Sequence, residues 1–236
     1  MRIGAAHRLK REIITGMKRL ILAIGALGLA VMPLVAQHPA EHGADPDKKM
    51  AGSGTLPSGW KGRLDSGDKT LAGVKASQMG GGVHFMTGPA GIYYKPADKA
   101  TGAYETHATF TQMEPAAHPE AYGLFIGGAN LDDAGQKYTY FVLRQDGKYL
   151  IKRRAGAETP TIMDWTDSAA IKKADGSGKM SNTLTIDVGK DKVRFLVNGT
   201  EVTSVDAAKL DTAGTPGLRV NHNLNLHVEG FAVRTR

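Results

Sequence analysis

The sequence predicts an all-β protein, of the kind and size that antiparallel β-sandwiches and barrels reach, on three observations. The first is the stretch NTLTIDVGKDKVRFLVNGTEVTSV over 182–205. There Leu184, Ile186 and Val188 alternate with Thr183, Thr185 and Asp187, and Val193, Phe195 and Val197 with Arg194 and Leu196, the two-residue period of strands with one buried face. The second is a pair of turn signals, Asp146-Gly147 and Asn198-Gly199, dipeptides that supply the positive φ angles of type I′ hairpin turns. The third is that short apolar runs recur between Gly- and Asn-rich punctuation with no helical stretch among them. A three-stranded meander over 182–205 must lay its oily side on a second layer.

The chain of 236 residues is 41% hydrophobic and 6% aromatic, with 30 glycines, which suits one β-rich domain large enough for a real core. Its net charge of +7 is a poor guide to partners. Six of the 30 Lys/Arg fall in residues 1–36 beside the single acid Glu12, so the remainder carries an excess of only two. Nucleic-acid binding is therefore not expected.

Residues 1–36 read as a secretory signal peptide. Lys18-Arg19 precedes the apolar run LILAIGALGLAVMPLV, which ends at Ala36-Gln37 with small or apolar residues before the expected cut. Met17 opens a complete signal by itself, so the start at Met1 or at Met17 stays open. A membrane anchor is the competing reading, because sixteen apolar residues approach a span. Cleavage is favoured, which leaves no stable anchor and places the mature protein in a bacterial periplasm or outside the cell. The absence of cysteine excludes a disulfide framework, a thiolate metal site and a lipid-modified cysteine. Residues 37–59 are rich in Pro, Gly and charge and read as a flexible linker. Within it His38 and His42 have ligand-like spacing, but Pro39 and Gly43 oppose the helix that would bring them together.

The folded domain is expected over 60–236. Strands are expected over 60–65, with Trp60 in the core, and over 83–86, 91–94, 103–110 and 122–126. In the fourth, Tyr104, Thr106, Ala108 and Phe110 share one face and Glu105, His107 and Thr109 the other. Next come YTYFVLR (138–144) and KYLIKRR (148–154), joined through Asp146-Gly147. A two-residue turn there sets the register: Leu143 opposite Leu150, Phe141 opposite Lys152, Val142 opposite Ile151, Arg144 opposite Tyr149 and Tyr140 opposite Arg153. One face then carries Phe141, Leu143 and Leu150, the other Tyr138, Tyr140, Arg144, Tyr149 and Arg153. Residues 155–179, with Trp165, read as a loop. At the C-terminus Leu224, Leu226 and Val228 alternate with polar residues before the phase slips at Glu229-Gly230, as a β-bulge makes it do.

In this order, a Tyr-x-Tyr strand, Asp-Gly, a basic strand, a Trp segment, N-x-L-x-I-x-V, V-x-F-x-V-N-G and G-L-R-V, the chain resembles the concanavalin A-like, laminin-G-like jelly rolls. Among them it is most similar to the bacterial exported domains of the 3-keto-disaccharide hydrolase type, from Trp60 to Val233 and best from Tyr138 onward. The resemblance implies two antiparallel sheets, one concave, with sugars bound on the concave face or its rim.

Sugars present flat C–H faces and rims of hydroxyls, which aromatic platforms and fixed hydrogen-bonding groups recognise. Tyr138, Tyr140, Arg144, Tyr149 and Arg153 have those side chains on one expected face, with Trp165 as a loop platform or a plug over the core edge. Cross-strand Tyr/Arg packing on a solvated sheet is the plainer account of them. Glu105 and His107, at i and i+2, are the candidate acid and base of a hydrolase, although a polar pair on a sheet face also explains them. No glutamate is followed two residues later by aspartate. That excludes the Glu-x-Asp-x-x-Glu arrangement with which retaining glucanases of this fold hold two carboxyls about 5 to 5.5 Å apart. Asn130, Asp132 and Asp133 offer oxygen ligands, and calcium is the one metal the resemblance leaves open; turn chemistry alone explains them, and no cofactor is expected. Asn221, His222 and Asn223 are read as the bend of a terminal hairpin, and Asn198-Gly199-Thr200 as a turn rather than a glycosylation site. The expected role is binding of a carbohydrate or glycoside. The alternatives are hydrolysis of a 3-keto-disaccharide and a structural module without a small ligand.

Overall fold

The computed structural model describes residues 46–51, 54–114, 116–174, 177 and 179–236. The leader, His38, His42 and the first part of the expected linker lie outside them. Along the chain run strands β1 (Lys61–Leu64), β2 (Val74–Met79), β3 (Gly82–Thr87), β4 (Gly91–Tyr94), β5 (Tyr104–Gln112), β6 (Ala121–Ala129) and β7 (Lys137–Arg144). They are followed by β8 (Lys148–Ala155), β9 (Thr161–Asp167), β10 (Met180–Val188), β11 (Lys192–Val197) and β12 (Thr200–Asp206), then, after one turn of 3-10 helix, β13 (Thr215–Val220) and β14 (Asn225–Thr235). They form two antiparallel seven-stranded sheets. The front sheet has the order β1-β4-β13-β6-β7-β8-β9 and the back sheet β12-β11-β10-β5-β14-β3-β2.

The alternation read from the sequence is what fills the interior. Leu184, Ile186, Val188, Val193, Phe195 and Val197 of the back sheet are buried against Tyr122, Leu124, Phe141 and Leu143 of the front sheet. Three aromatic pairs cross between the sheets: Phe85 with Tyr93, Phe110 with Tyr122, and Phe141 with Phe195, at centroid separations of 4.6, 5.4 and 5.3 Å, within the range for offset and edge contacts. Trp60 sits just before β1 at the rim of this core, its ring 5.4 Å from that of Phe231.

The Asn198-Gly199 turn forms as expected, with φ of 52° and 80°. The terminal bulge forms too: pairing of β14 with β5 shifts between Glu229 and Ala232, and Gly230 has φ 64°. Four expectations are corrected. The β7–β8 turn is not a two-residue I′ turn, because Asp146 keeps a negative φ and only Gly147, at 88°, is left-handed. Gly147 N donates to Arg144 O at 3.1 Å, the geometry of a type I turn closed by a glycine bulge over three loop residues. The register therefore moves by one, to Leu143 opposite Tyr149, Phe141 opposite Ile151, Tyr140 opposite Lys152 and Thr139 opposite Arg153. Second, Trp165 lies in strand β9, not in a loop. Third, β13 and β14 belong to different sheets, so 221–223 is a crossover between layers and not a hairpin bend. Fourth, the stretch read as a flexible linker is tied down from Pro46: Lys48 N donates to Asn223 Oδ1 at 2.7 Å and Asn223 Nδ2 to Pro46 O at 3.2 Å. Among the described residues no helix is long and apolar enough to cross a membrane.

Candidate functional site on the outer face of the front sheet

Alternation along β7 sends Thr139, Phe141 and Leu143 into the core and Tyr138, Tyr140, Val142 and Arg144 outward. The same parity places Lys61, Arg63, Ile92, Tyr94, Arg219, Ala121, Phe125, Leu150, Lys152, Arg154 and Trp165 on that outer face. It divides into two aromatic fields joined by Tyr140. In one, Ile92, Tyr94, Phe125, Leu131 and Tyr138 pack together, the Phe125 and Tyr138 rings 5.0 Å apart. In the other, Trp165 and Tyr140 pack on Ala121, Val142 and Leu150.

Two guanidinium groups are fixed among these rings. Arg144 stacks 4.2 Å from the Trp165 ring, and its Nε donates to both Asp146 carboxylate oxygens at 2.9 Å, a cation–π contact and a charge-assisted pair acting together. Arg219 donates through Nη1 and Nη2 to the two oxygens of Asp65 at 2.5 and 2.6 Å and lies 5.8 Å from the Tyr140 ring. Burial works against its charge, but Asp65 and the two tyrosines outweigh it and hold the Arg219 pKa above the ordinary arginine value. Burial pushes the Tyr140 phenol up to about 12 and raises that of Tyr138, so both are neutral hydrogen-bonding groups at physiological pH.

Of the residues singled out from sequence, Tyr138, Tyr140, Arg144 and Trp165 share this face, and the half-buried Tyr140 and Trp165 are its accessible rings. Tyr149 and Arg153 do not share it, because the one-residue register change turns both toward the other side of the sheet. Tyr149 crosses the interior and donates its hydroxyl to Val202 O at 3.2 Å, and Arg153 pairs with Asp211 at the sheet margin. Leu150, expected in the core, lies outward beneath Trp165 for the same reason. Arg219, Arg63 and Tyr94 were missed. The G-L-R-V strand carries period-two alternation that puts Arg219 opposite Leu218, but nothing in sequence says which strands flank it.

Two seven-stranded antiparallel sheets enclosing one core, with crossovers between layers, already narrow the architecture. No protein-family model matches the chain, and none of the curated proteins matches it. Among solved structures it is similar to a carbohydrate-binding module, CBM66, from Bacillus subtilis, at TM-score 0.53 and 10% identity over 77% of this chain and 99% of that one. It is also similar to a protein of unknown function with a galectin-like fold from Bacillus subtilis, at TM-score 0.51 and 12% identity over 75% and 89%.

The fold is a concanavalin A-like jelly roll.

In this jelly roll Glu105 and His107 stand on the outer face of the back sheet, across the core from Tyr140. His107 Nδ1 lies 3.0 Å from Glu105 Oε1, and Arg236 donates to Glu105 Oε2 at 3.3 Å. Thr109–Thr183 and Thr111–Ser181 hydroxyl pairs continue the row at 2.8 and 3.0 Å, so the neighbourhood is a polar sheet ladder. At the candidate calcium loop, Asp132 accepts from the Tyr94 hydroxyl at 2.6 Å and from Lys61 at 3.3 Å, and Asp133 accepts from Gly135 N at 2.8 Å. Among the described residues no group of three or more His, Asp and Glu is placed to hold a metal. A buried histidine was also missed. His222 lies between Glu120 Oε1, 2.8 Å from Nε2, and Asp47 Oδ1, 3.1 Å from Nδ1. It sits where β6 begins and β13 ends, and turn-forming neighbours on either side concealed it in the sequence.

Proposed function

We propose that the protein binds carbohydrate on the outer face of the front sheet. The observation that carries this reading is the Tyr140–Trp165 field: two half-buried rings on an apolar floor of Val142 and Leu150, with Arg144 locked against one of them. Rings that stack on C–H faces beside an immobilised multidentate donor are the groups a sugar needs. Their rotamers are already fixed, so little entropy is lost on binding. The similar solved structure that is a carbohydrate-binding module adds a fold known to host that role. Affinity electrophoresis through soluble polysaccharides tests the proposal. Wild-type protein is retarded by at least one polymer, and Tyr140→Ala and Trp165→Ala migrate freely while keeping the wild-type circular dichroism spectrum. Retardation unchanged in both variants refutes it.

The leader makes the protein an exported one, held in the periplasm or secreted. N-terminal sequencing of the mature chain tests this by locating the cut near Ala36.

Hydrolysis of a modified disaccharide is the second reading, and the His222–Glu120 pair favours it, because a histidine and a carboxylate 2.8 Å apart can share a proton. Turnover of a 3-keto-glycoside that disappears in Glu120→Gln supports it. No turnover by the wild type across a panel of such glycosides removes it.

A further inference from the structure

At the edge of the front sheet, two nitrogens of a buried guanidinium have no hydrogen-bond partner among the described residues. Arg63 points outward from β1, is 8% exposed, and has Nε and Nη1 buried with no hydrogen-bond partner. Guanidinium nitrogens left in this state lose their hydration with nothing in exchange, which folded proteins tolerate where a ligand completes the pairing. Neighbouring groups do not supply the missing anion. On the turn after β1, Asp65 is engaged by both terminal nitrogens of Arg219. Asp132 is engaged by Lys61 and the Tyr94 hydroxyl.

Arg63 lines a cavity of about 370 Å³ together with Trp60, Lys61, Lys69, Leu71 and Asp132, a volume within the range of small-ligand sites. Three cations against one committed carboxylate make its wall positive, and the indole supplies an apolar surface. Strands in a sheet lie about 4.8 Å apart, so β1 stands about 19 Å from β7 across β4, β13 and β6. One extended glycan can therefore reach from Tyr140 past Arg219 to this edge.

We infer that the β1 edge cavity is a subsite for an acidic sugar, whose carboxylate pairs with Arg63 while its ring lies among Trp60, Lys61 and Lys69. The inference rests on the carbohydrate-binding reading and specifies its ligand class as a uronate-bearing glycan. A carboxylate is the expected anion because its two oxygens match the planar fork of a guanidinium.

Isothermal titration of the full chain with three probes tests it: trigalacturonate, its fully methyl-esterified form, and acetate. Trigalacturonate binds at least tenfold more tightly than the ester, acetate gives no heat, and Arg63→Gln abolishes the difference between acid and ester. Arg63→Lys, which keeps the charge but not the fork, retains part of it. Because Arg63 has no internal partner at these atoms, the melting temperature of Arg63→Gln equals or exceeds that of the wild type. A fall in melting temperature with binding unchanged makes Arg63 a structural residue and overturns the inference. Equal affinity for acid and ester, lost in Tyr140→Ala, overturns it while the carbohydrate reading stands. Acetate binding as tightly as trigalacturonate leaves an anion site and overturns the inference, while the carbohydrate reading stays with the polysaccharide gels. No heat with any probe overturns the inference alone, and the carbohydrate reading is then decided by the polysaccharide gels. If Arg63→Gln does not fold, the acid-to-ester ratio in the wild type and in Arg63→Lys decides.

Discussion

Tyr140 and Trp165 are separated by 25 positions in sequence and meet only because β7, β8 and β9 lie side by side. Each ring covers the Val142–Leu150 floor, so truncation removes both a stacking surface and some packing. Tyr140→Ala and Trp165→Ala are each expected to weaken glycan binding by about 1–3 kcal/mol, of the size expected for a stacked ring by alanine substitution at hot spots, with a smaller loss of stability read from urea unfolding. Gly217 argues the same point from the floor. A Cβ there would stand 2.5 Å from the Phe125 ring and 2.6 Å from the Tyr93 carbonyl oxygen, so Gly217→Ala must displace both the ring and the β4 backbone, and a loss of about 1–3 kcal/mol follows from overpacking. The residue types of the site were legible in YTYFVLR and MDWTD. Their facing was not, because whether Asp146-Gly147 closes over two or three residues depends on how the flanking strands twist against their neighbours.

Within the β10–β11–β12 meander, local and tertiary signals agree. Asn198-Gly199 takes the two positive φ angles its turn needs, and Asn198 also donates to Ala170 O and Asn182 Oδ1 at 2.8 Å. Asn182 in turn binds Lys172 through both ends of its amide, at 2.9 and 3.0 Å. The turn thus anchors the segment before β10 as well as the hairpin. Asn182→Leu removes both bonds that the buried Asn182 amide makes to the Lys172 backbone and is expected to cost about 1–3 kcal/mol, measured as a lower urea midpoint with the m-value unchanged. In contrast, β9 and β2 were not read as strands, since a short edge strand with one side unpaired needs less apolar alternation than a central one. The resulting misreading of Trp165 as a loop residue is an edge effect.

Across the whole molecule, the two sheets are held by aromatic pairs that cross the interior, and Phe195 is central to them, fully buried 5.3 Å from Phe141. Phe195→Ala is expected to destabilise by about 3–5 kcal/mol, seen in thermal or denaturant unfolding. All seven tyrosines have raised pKa values, each with burial as the first cause. A phenol whose folded pKa lies above its unfolded value near 10 binds its proton more tightly in the native state, so stability is complete below about pH 10 and falls as pH rises through 12. Absorbance at 295 nm is therefore expected to stay flat to about pH 10 and then rise together with loss of the native circular dichroism signal. Tyrosinate appearing well before unfolding contradicts that burial. Toward acid the sign reverses: hydrogen bonding from Tyr94 holds the Asp132 carboxyl below its ordinary value, a contribution present above about pH 4 and lost as pH falls.

The sequence by itself determined that this chain forms strands, where most of them run, which side of the 182–205 meander is oily, and that the terminal strand carries a bulge. Those are properties of alternation and turn chemistry, each decided within a few neighbouring residues. Only the tertiary structure decided which strands are neighbours, and with that which side chains share a surface. It set Glu105 and His107 on the far sheet from Tyr140, turned Tyr149 inward, seated His222 between Glu120 and Asp47, and left two nitrogens of the buried Arg63 without a hydrogen-bond partner among the described residues beside β4. Each of these depends on pairing between segments distant in the chain, and no local period records which distant segment a strand will meet.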